Sequence, residues 1–321
     1  MKKLILAATL AIGLVAATFS VAQERLFFGI ATGGTGGTYY PLGGMLAQLI
    51  SNKASVAGKK VVASAEAANA SVANAKLVAE KQIESAFVAA DILDAASNGQ
   101  AQFNGAPLKN LRALGGLYPE TVQLITRADS GINSVRDLKG KRVSSGAPGS
   151  GQYQLLSDLL AVYGIKRDEV KEDHSSFTQA VDKIKDGNLE ATLITAGVPT
   201  SAVTDFAQSH ALKIIPLAGP EVAELQKKQP YYASVTIPAG AYKGVAAAVP
   251  TLAVMAVWAT HDALPEPVAY EVTKALFENT AIMGQVHSQG KNISLGTALA
   301  VGTTPLHPGA ARYYKEKGLL K

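Results

Sequence analysis

Glycine-rich loops between a strand and a helix can do chemistry on anions. Their backbone comes close to a ligand, and the helix behind them presents unpaired amides. One such loop is Gly34-Thr-Gly-Gly-Thr-Tyr-Tyr-Pro41, which follows the apolar run Leu26–Ile30. A phosphate-binding P-loop needs a lysine and then serine or threonine after its glycines, and a dinucleotide fingerprint needs a third glycine. Tyr39 stands in the third glycine's place, and Tyr39-Tyr40 follows where the lysine is required. Neither nucleotide reading survives. What remains is a cradle for an anion such as a carboxylate. Gly36 and Gly37 allow close approach, Thr38 is placed to cap the helix, and Pro41 is tolerated in its first turn. The alternative is a tight structural turn whose tyrosines pack for stability, and this loop alone leaves both readings open.

Three further turns share the construction. Ser71 and Asn74 lie one turn apart at a helix start, where capping competes with ligand contact. Ser144-Ser-Gly-Ala-Pro-Gly-Ser-Gly151 precedes a helix that begins at Gln152, and it holds more glycine than a cap requires. Gly149, Ser150, Gly151 and Gln152 are therefore ligand candidates. Thr195-Ala-Gly-Val-Pro-Thr200 is the fourth turn. Open α/β sheets bind ligands outside the carboxyl ends of their strands, so two turns from each half would face each other across a cleft.

Catalytic sets are poor. The chain has no cysteine, and Ser150 lacks the flanking pattern of a G-x-S-x-G nucleophile elbow. The histidines, His174, His210, His261, His287 and His307, show neither H-E-x-x-H nor metal-ligand spacing. They read as surface or capping residues. Glu169, Glu172 and Asp173 read as a solvated face. A binding protein without metal or cofactor is expected; a secreted hydrolase using Ser150 or Ser71 would have to assemble its base from distant residues.

The elements that must position these turns alternate. Strand signals at 25–30, 60–63, 85–90 and 111–114 are separated by helical spacing at 42–50, 72–81 and 91–98. A second α/β unit opens with a strand at 121–127. Ser134-Val-Arg-Asp137 marks a helix start, a strand begins at Lys141, and helices are expected at 152–163, 177–185 and 199–209. Strands at 191–195 and 212–216 complete that unit. A long apolar strand at 252–259 and helices at 267–279 and 308–317 return the chain to the first unit. The expected architecture is a mostly parallel sheet with helices on both faces. Residues 23–120 with 255–321 would form one lobe, and 121–254 the other.

Residues 1–22 read as a secretory signal: Lys2 and Lys3, an apolar run from Leu4 to Phe19, then Ser20-Val-Ala22. The run is shorter than the ~20 residues a spanning helix needs. Removing 22 of 321 residues leaves 299 and lowers the net charge from +5 to +3. That charge is too mild and scattered for a nucleic-acid partner. No other segment is apolar enough to span a bilayer, and no cysteine is available for lipid attachment. A free, exported monomer is expected, in a periplasm.

The residues also match a family. The chain resembles the TAXI-type solute receptors of TRAP transporters over its whole mature length. Gly34–Pro41, Asp129–Val143, Ala147–Gly151 and Pro305-Leu-His-Pro-Gly-Ala-Ala-Arg-Tyr-Tyr-Lys-Glu-Lys-Gly318 carry the likeness. It implies a two-lobed type II periplasmic binding protein fold, with an interlobe ligand cleft and hinge strands. It implies capture of a small organic anion such as glutamate, glutamine or 2-oxoglutarate, and delivery to a fused membrane permease driven by an ion gradient. Signalling to a membrane sensor kinase is the alternative output. Carried over, Thr38, Tyr40, Ser71, Asn74, Gly149, Ser150, Gly151, Gly197 and Pro199 would contact ligand. Two positions depart from the family pattern. Asn69-Ala70 precedes Ser71, and Ala89 stands where a glutamine is common.

Overall fold

A computed structural model describes residues 25–321; the signal-peptide expectation lies outside them. In chain order the first part supplies β1 (Arg25–Ala31), α1 (Tyr39–Lys53), β2 (Ser55–Val56), β3 (Lys59–Glu66), α2 (Ser71–Ala79), β4 (Ser85–Ala89), α3 (Ala90–Asn98) and β5 (Leu111–Arg127). Then follow β6 (Arg142–Ser144), α4 (Gln152–Val162), β7 (Lys171–Asp173), α5 (Phe177–Lys185), β8 (Ala191–Ala196), α6 (Ser201–Ser209), β9 (Leu212–Ile215), α7 (Pro220–Lys228) and β10 (Ala233–Ile237). The chain closes with β11 (Val249–His261), α8 (Glu266–Phe277) and α9 (Pro308–Glu316).

The strands run in the order β2-β3-β1-β4-β11-β5-β8-β6-β7, with β9 also paired to β5 and β10 to β11. The parallel members β1 and β4 are apolar and buried over most of their length, as strands covered by helices on both faces must be. Two long antiparallel strands tie the halves together. Residues 111–121 of β5 lie along β11, whereas Thr121–Arg127 lie along β8 and β9. Likewise Ala256–Thr260 of β11 pair with β4, and Val249–Ala253 pair with β10. β5 and β11 are thus the hinge strands of a two-lobed α/β fold.

The structure corrects the sequence reading here. The separate strands expected at 111–114 and 121–127 are one 17-residue strand. Gly115, Gly116 and Pro119 suggest a break. The glycines are instead required for packing: a Cβ on Gly115 would sit 2.5 Å from the Tyr314 hydroxyl, and one on Gly116 2.3 Å from the Thr297 carbonyl. Pro119 lies opposite Met255, beside a slip in the β5–β11 register, where a missing N–H costs little. The helix expected from Pro199 begins only at Ser201, because Thr200 is still extended.

One apolar cluster, with Trp258 edge-on to Phe28 at 6.1 Å, fills the space between α1, α8, α9 and the first lobe's strands. Another lies under α5 and α6 around Phe206. A third runs across both lobes from Leu93 through Val122 and Val254 to Leu156. His307 caps α9, its Nδ1 accepting from the Gly309 amide and its Nε2 donating to the Leu264 carbonyl. The carboxylates of Glu169, Glu172 and Asp173 pair with Lys139, Arg167 and Lys183. Ion pairs that open to solvent contribute little stability.

Candidate functional site

A cleft of about 260 Å³ lies between the lobes. The first residues of four helices line it: Tyr39 of α1, Ser71 of α2, Gln152 of α4 and Phe177 of α5. The strand-to-helix turns deliver them there because the strands β1, β3, β6 and β7, parallel in pairs, end at this edge. The loop 33–38, residues 68–70, Ala147, Ser150, Ser176, Thr178, Thr195 and Ala196 complete the wall, and Glu120 of β5 lies at its base. A recess of about 20 Å³ continues inward past Ser71, Glu120, Gln152 and Thr195 to Ala89, Asp91, Gly151 and Tyr232.

The cleft holds no Lys, Arg or His among its lining residues. Its ionisable groups are acids. Glu120 is 4% exposed, and its Oε1 accepts a 2.5 Å hydrogen bond from the Tyr39 hydroxyl. Burial pushes its carboxyl up to about 8, with Asp91 adding to the rise and the Tyr39 bond opposing it. Burial likewise raises Asp91, against the 2.6 Å hydrogen bond that its carboxylate accepts from the Tyr232 hydroxyl. Three polar atoms on the cleft wall are buried without a hydrogen-bond partner: Ser150 Oγ, Gln152 Oε1 and Thr195 Oγ1. Buried polar groups are rarely left so; Ser150 Oγ and Gln152 Oε1 both lie against Gly146.

The lobes are closed on each other through the turns. The Gly149 carbonyl accepts from the amides of Val72 and Ala73, both at 3.0 Å. The Gly36 carbonyl accepts from the Ala202 amide at 3.1 Å. Thr38 Oγ1 accepts from the Gly197 amide at 3.0 Å and donates to its carbonyl at 3.4 Å. The Gln289 side chain donates to the Val198 carbonyl, and His287 Nε2 to that of Pro199, each at 2.9 Å.

The anticipated site residues therefore divide by position. Gly36, Gly37, Thr38, Ser71, Ser150 and Gln152 line the cleft, and Gly151 borders the recess. Gly149, Gly197 and Pro199 lie outside the lining and hold the lobes together. Tyr40 is 38% exposed, and its neighbour Tyr39 is the residue that faces inward. Thr38 makes no side-chain cap on α1, because its hydroxyl is committed across the cleft. Ser71 is the first residue of α2 rather than its N-cap, and its Oγ accepts from the Ala89 amide at 3.0 Å.

Asn74 is fully buried away from the cleft. Its side-chain amide donates to the carbonyls of Thr32 and Phe87, both at 2.8 Å, stitching α2 to the residue after β1 and to the middle of β4. Asn74→Ala is expected to destabilise the ligand-free protein by about 3 kcal/mol, since two buried carbonyls lose their donor. Denaturant unfolding measures this. A variant of unchanged stability but weakened affinity would return Asn74 to the ligand.

Sequence reasoning missed Tyr39, Glu120, Thr195 and the start of α5. Two signals were available. Ser176-x-x-Gln179 is a capping-box pattern, and the structure forms it, with the Ser176 amide donating to the Gln179 side chain at 3.1 Å. Glu120 is the lone carboxylate in the apolar stretch 113–126. Neither Ser71 nor Ser150 has a histidine or lysine among its hydrogen-bond partners. Among the described residues no group of three or more His, Asp or Glu is arranged to hold a metal, and no helix is long and apolar enough to cross a membrane.

The model of the NMT1-like family matches residues 30–318. Among solved structures, a protein of Bordetella bronchiseptica RB50 is similar at 15% identity, with 91% of this chain and 98% of that chain covered and a TM-score of 0.56. A protein of Archaeoglobus fulgidus is similar at 12% identity, with 92% and 98% covered and a TM-score of 0.50. The periplasmic aliphatic sulphonate binding protein SsuA of Escherichia coli aligns at 13% identity over 91% and 83%, with a TM-score of 0.47. At these identities the likeness concerns the fold.

Proposed function

The chain belongs to the NMT1-like family, and from that premise we propose that it is an exported solute receptor. It captures a small organic anion between its lobes, either a dicarboxylate such as 2-oxoglutarate or an amino acid such as glutamate or glutamine. It then presents that ligand to a membrane permease of the TRAP type with fused subunits. The motifs Gly34–Pro41 and Pro305–Gly318 support the TAXI assignment within this reading, and the periplasm is the compartment it requires.

One observation carries the reading: a closed interlobe cleft whose wall is built from helix N-termini. With no basic side chain in the wall, the carboxylate of the ligand is met by first-turn amides and hydroxyls. Each partly buried helix start contributes up to about 2 kcal/mol toward an anion. The α2 amides of Val72 and Ala73 are already bound to Gly149, so α1, α4 and α5 are the anion-facing starts. Ligand favours the closed state because it touches both lobes at once. The serine-hydrolase alternative lacks support, since neither cleft serine is hydrogen-bonded to a base.

A thermal-shift and calorimetry screen of four- to six-carbon carboxylates and amino acids tests the proposal. Stabilisation and saturable binding by at least one is expected. No response to any of them would sink the ligand class.

A further inference from the structure

We propose that Glu120 receives a ligand ammonium group, so that the cleft selects a zwitterionic amino acid over an oxo acid or dicarboxylate of equal length. The inference rests on the receptor reading above and sharpens its ligand.

Glu120 lies on β5 opposite Val254, where the hinge strands pass from one lobe to the other. Its side chain borders both the cleft and the inner recess. The Tyr39 hydroxyl is its hydrogen-bond partner among the described residues, and it makes no ion pair. The groups around it come from every neighbouring element: Tyr39 of α1, Ser71 of α2, Asp91 of α3, Gln152 of α4, Thr195 of β8, Tyr118 of its own strand and Tyr232. All are acids or neutral. A buried carboxylate needs an opposite charge or a proton, and the protein supplies no opposite charge here.

The unpartnered atoms fit the same chemistry. An ammonium carries three donors and no acceptor. Glu120 shares the cleft lining with Ser150, Gln152 and Thr195, whose side-chain oxygens have no hydrogen-bond partner among the described residues. A keto oxygen beside Glu120 accepts from hydroxyls or from the protonated carboxyl, but it brings no charge to an ionised carboxylate. The ligand carboxylate, by contrast, is served by the first-turn amides that line the cleft. A zwitterion satisfies both ends.

A proton linkage follows. In the empty cleft Glu120 holds a proton near neutral pH, since its carboxyl is pushed up to about 8. An ammonium ligand drives that proton off. At pH 8 binding therefore releases about half a proton. An anion seated against protonated Glu120 would have the opposite sign and take up a proton.

Calorimetry of the mature protein at pH 8, in two buffers of different ionisation heat, compares L-glutamate and L-glutamine with 2-oxoglutarate and glutarate. One amino acid is expected to bind at least about 30-fold more tightly than both acids, with net proton release. Glu120→Gln is expected to lose about 30-fold or more for that amino acid and to abolish the release, while leaving 2-oxoglutarate no weaker. Tighter binding of 2-oxoglutarate or glutarate to the wild type, or proton uptake with the amino acid, overturns the inference and leaves the receptor reading standing. Should none of the four bind the wild type or shift its melting temperature, the receptor reading for this ligand class fails and the inference with it. The wild-type arms decide the question even if Glu120→Gln does not fold.

Discussion

Gly197→Val weakens ligand capture by about 100-fold. Gly197 is where the two lobes come closest. A Cβ there would lie 2.5 Å from Gln289 Cγ and 3.0 Å from both Cγ2 and Oγ1 of Thr38. Its φ lies outside the left-handed region, so a side chain strains no backbone and the clash is the whole effect. Both neighbours belong to the opposite lobe, so the clash opposes the closed arrangement of the lobes. Forcing them apart costs about 1–3 kcal/mol of overpacking, and the two Thr38 bonds to Gly197 add about 1 kcal/mol. Ligand can draw the lobes together only with the free energy left over, and about 3 kcal/mol of opposition corresponds to about a hundredfold in Kd. Thr38→Val removes the bonds without adding bulk and is expected to lose about tenfold. Calorimetry with the best ligand from the screen, beside scattering measurements of lobe closure, checks both. An unchanged Kd for Gly197→Val would mean that ligand binds without this contact closing.

The two variants also show what the sequence could and could not reveal. The turns were legible because glycine, serine and threonine before an apolar periodic stretch have a local cause, the unpaired amides of a helix start. Gly36, Thr38, Ser71, Ser150 and Gln152 reach the cleft for that reason. Which atom each turns toward the ligand was not legible, because it depends on the partner lobe. Thr38 looks like a cap, yet its hydroxyl meets Gly197, 159 residues away in sequence. Asn74 looks like a cleft residue, yet it serves two buried backbone carbonyls. The hinge strand β5 was hidden for the same reason. Gly115 and Gly116 look like a break until Tyr314 and Thr297 arrive from the end of the chain to occupy the space their missing side chains leave. Local rules thus place the elements, and contacts distant in sequence assign the roles.

Glu120→Gln makes the protein more stable than wild type above pH 8, by about 3–5 kcal/mol, and no more stable near pH 4.5. The carboxyl sits at 4.5 in its ordinary state and at about 8 in the folded protein. The folded state therefore holds this proton more tightly than the unfolded chain does. The stability due to Glu120 is full below about pH 4.5, declines as pH rises, and is lost once pH passes about 8. That interval amounts to about 5 kcal/mol at full ionisation, less whatever relaxation of the cleft recovers. Glutamine accepts the same bond from Tyr39 and carries no charge, so the variant omits this decline. For a chain of this size the gap corresponds to roughly 5–10 °C in melting temperature at pH 9, and parallel profiles of the two proteins from pH 4.5 to 9 would refute it. Saturating amino acid should flatten the wild-type profile, because the ammonium supplies the charge that the fold withholds, and a dicarboxylate should steepen it.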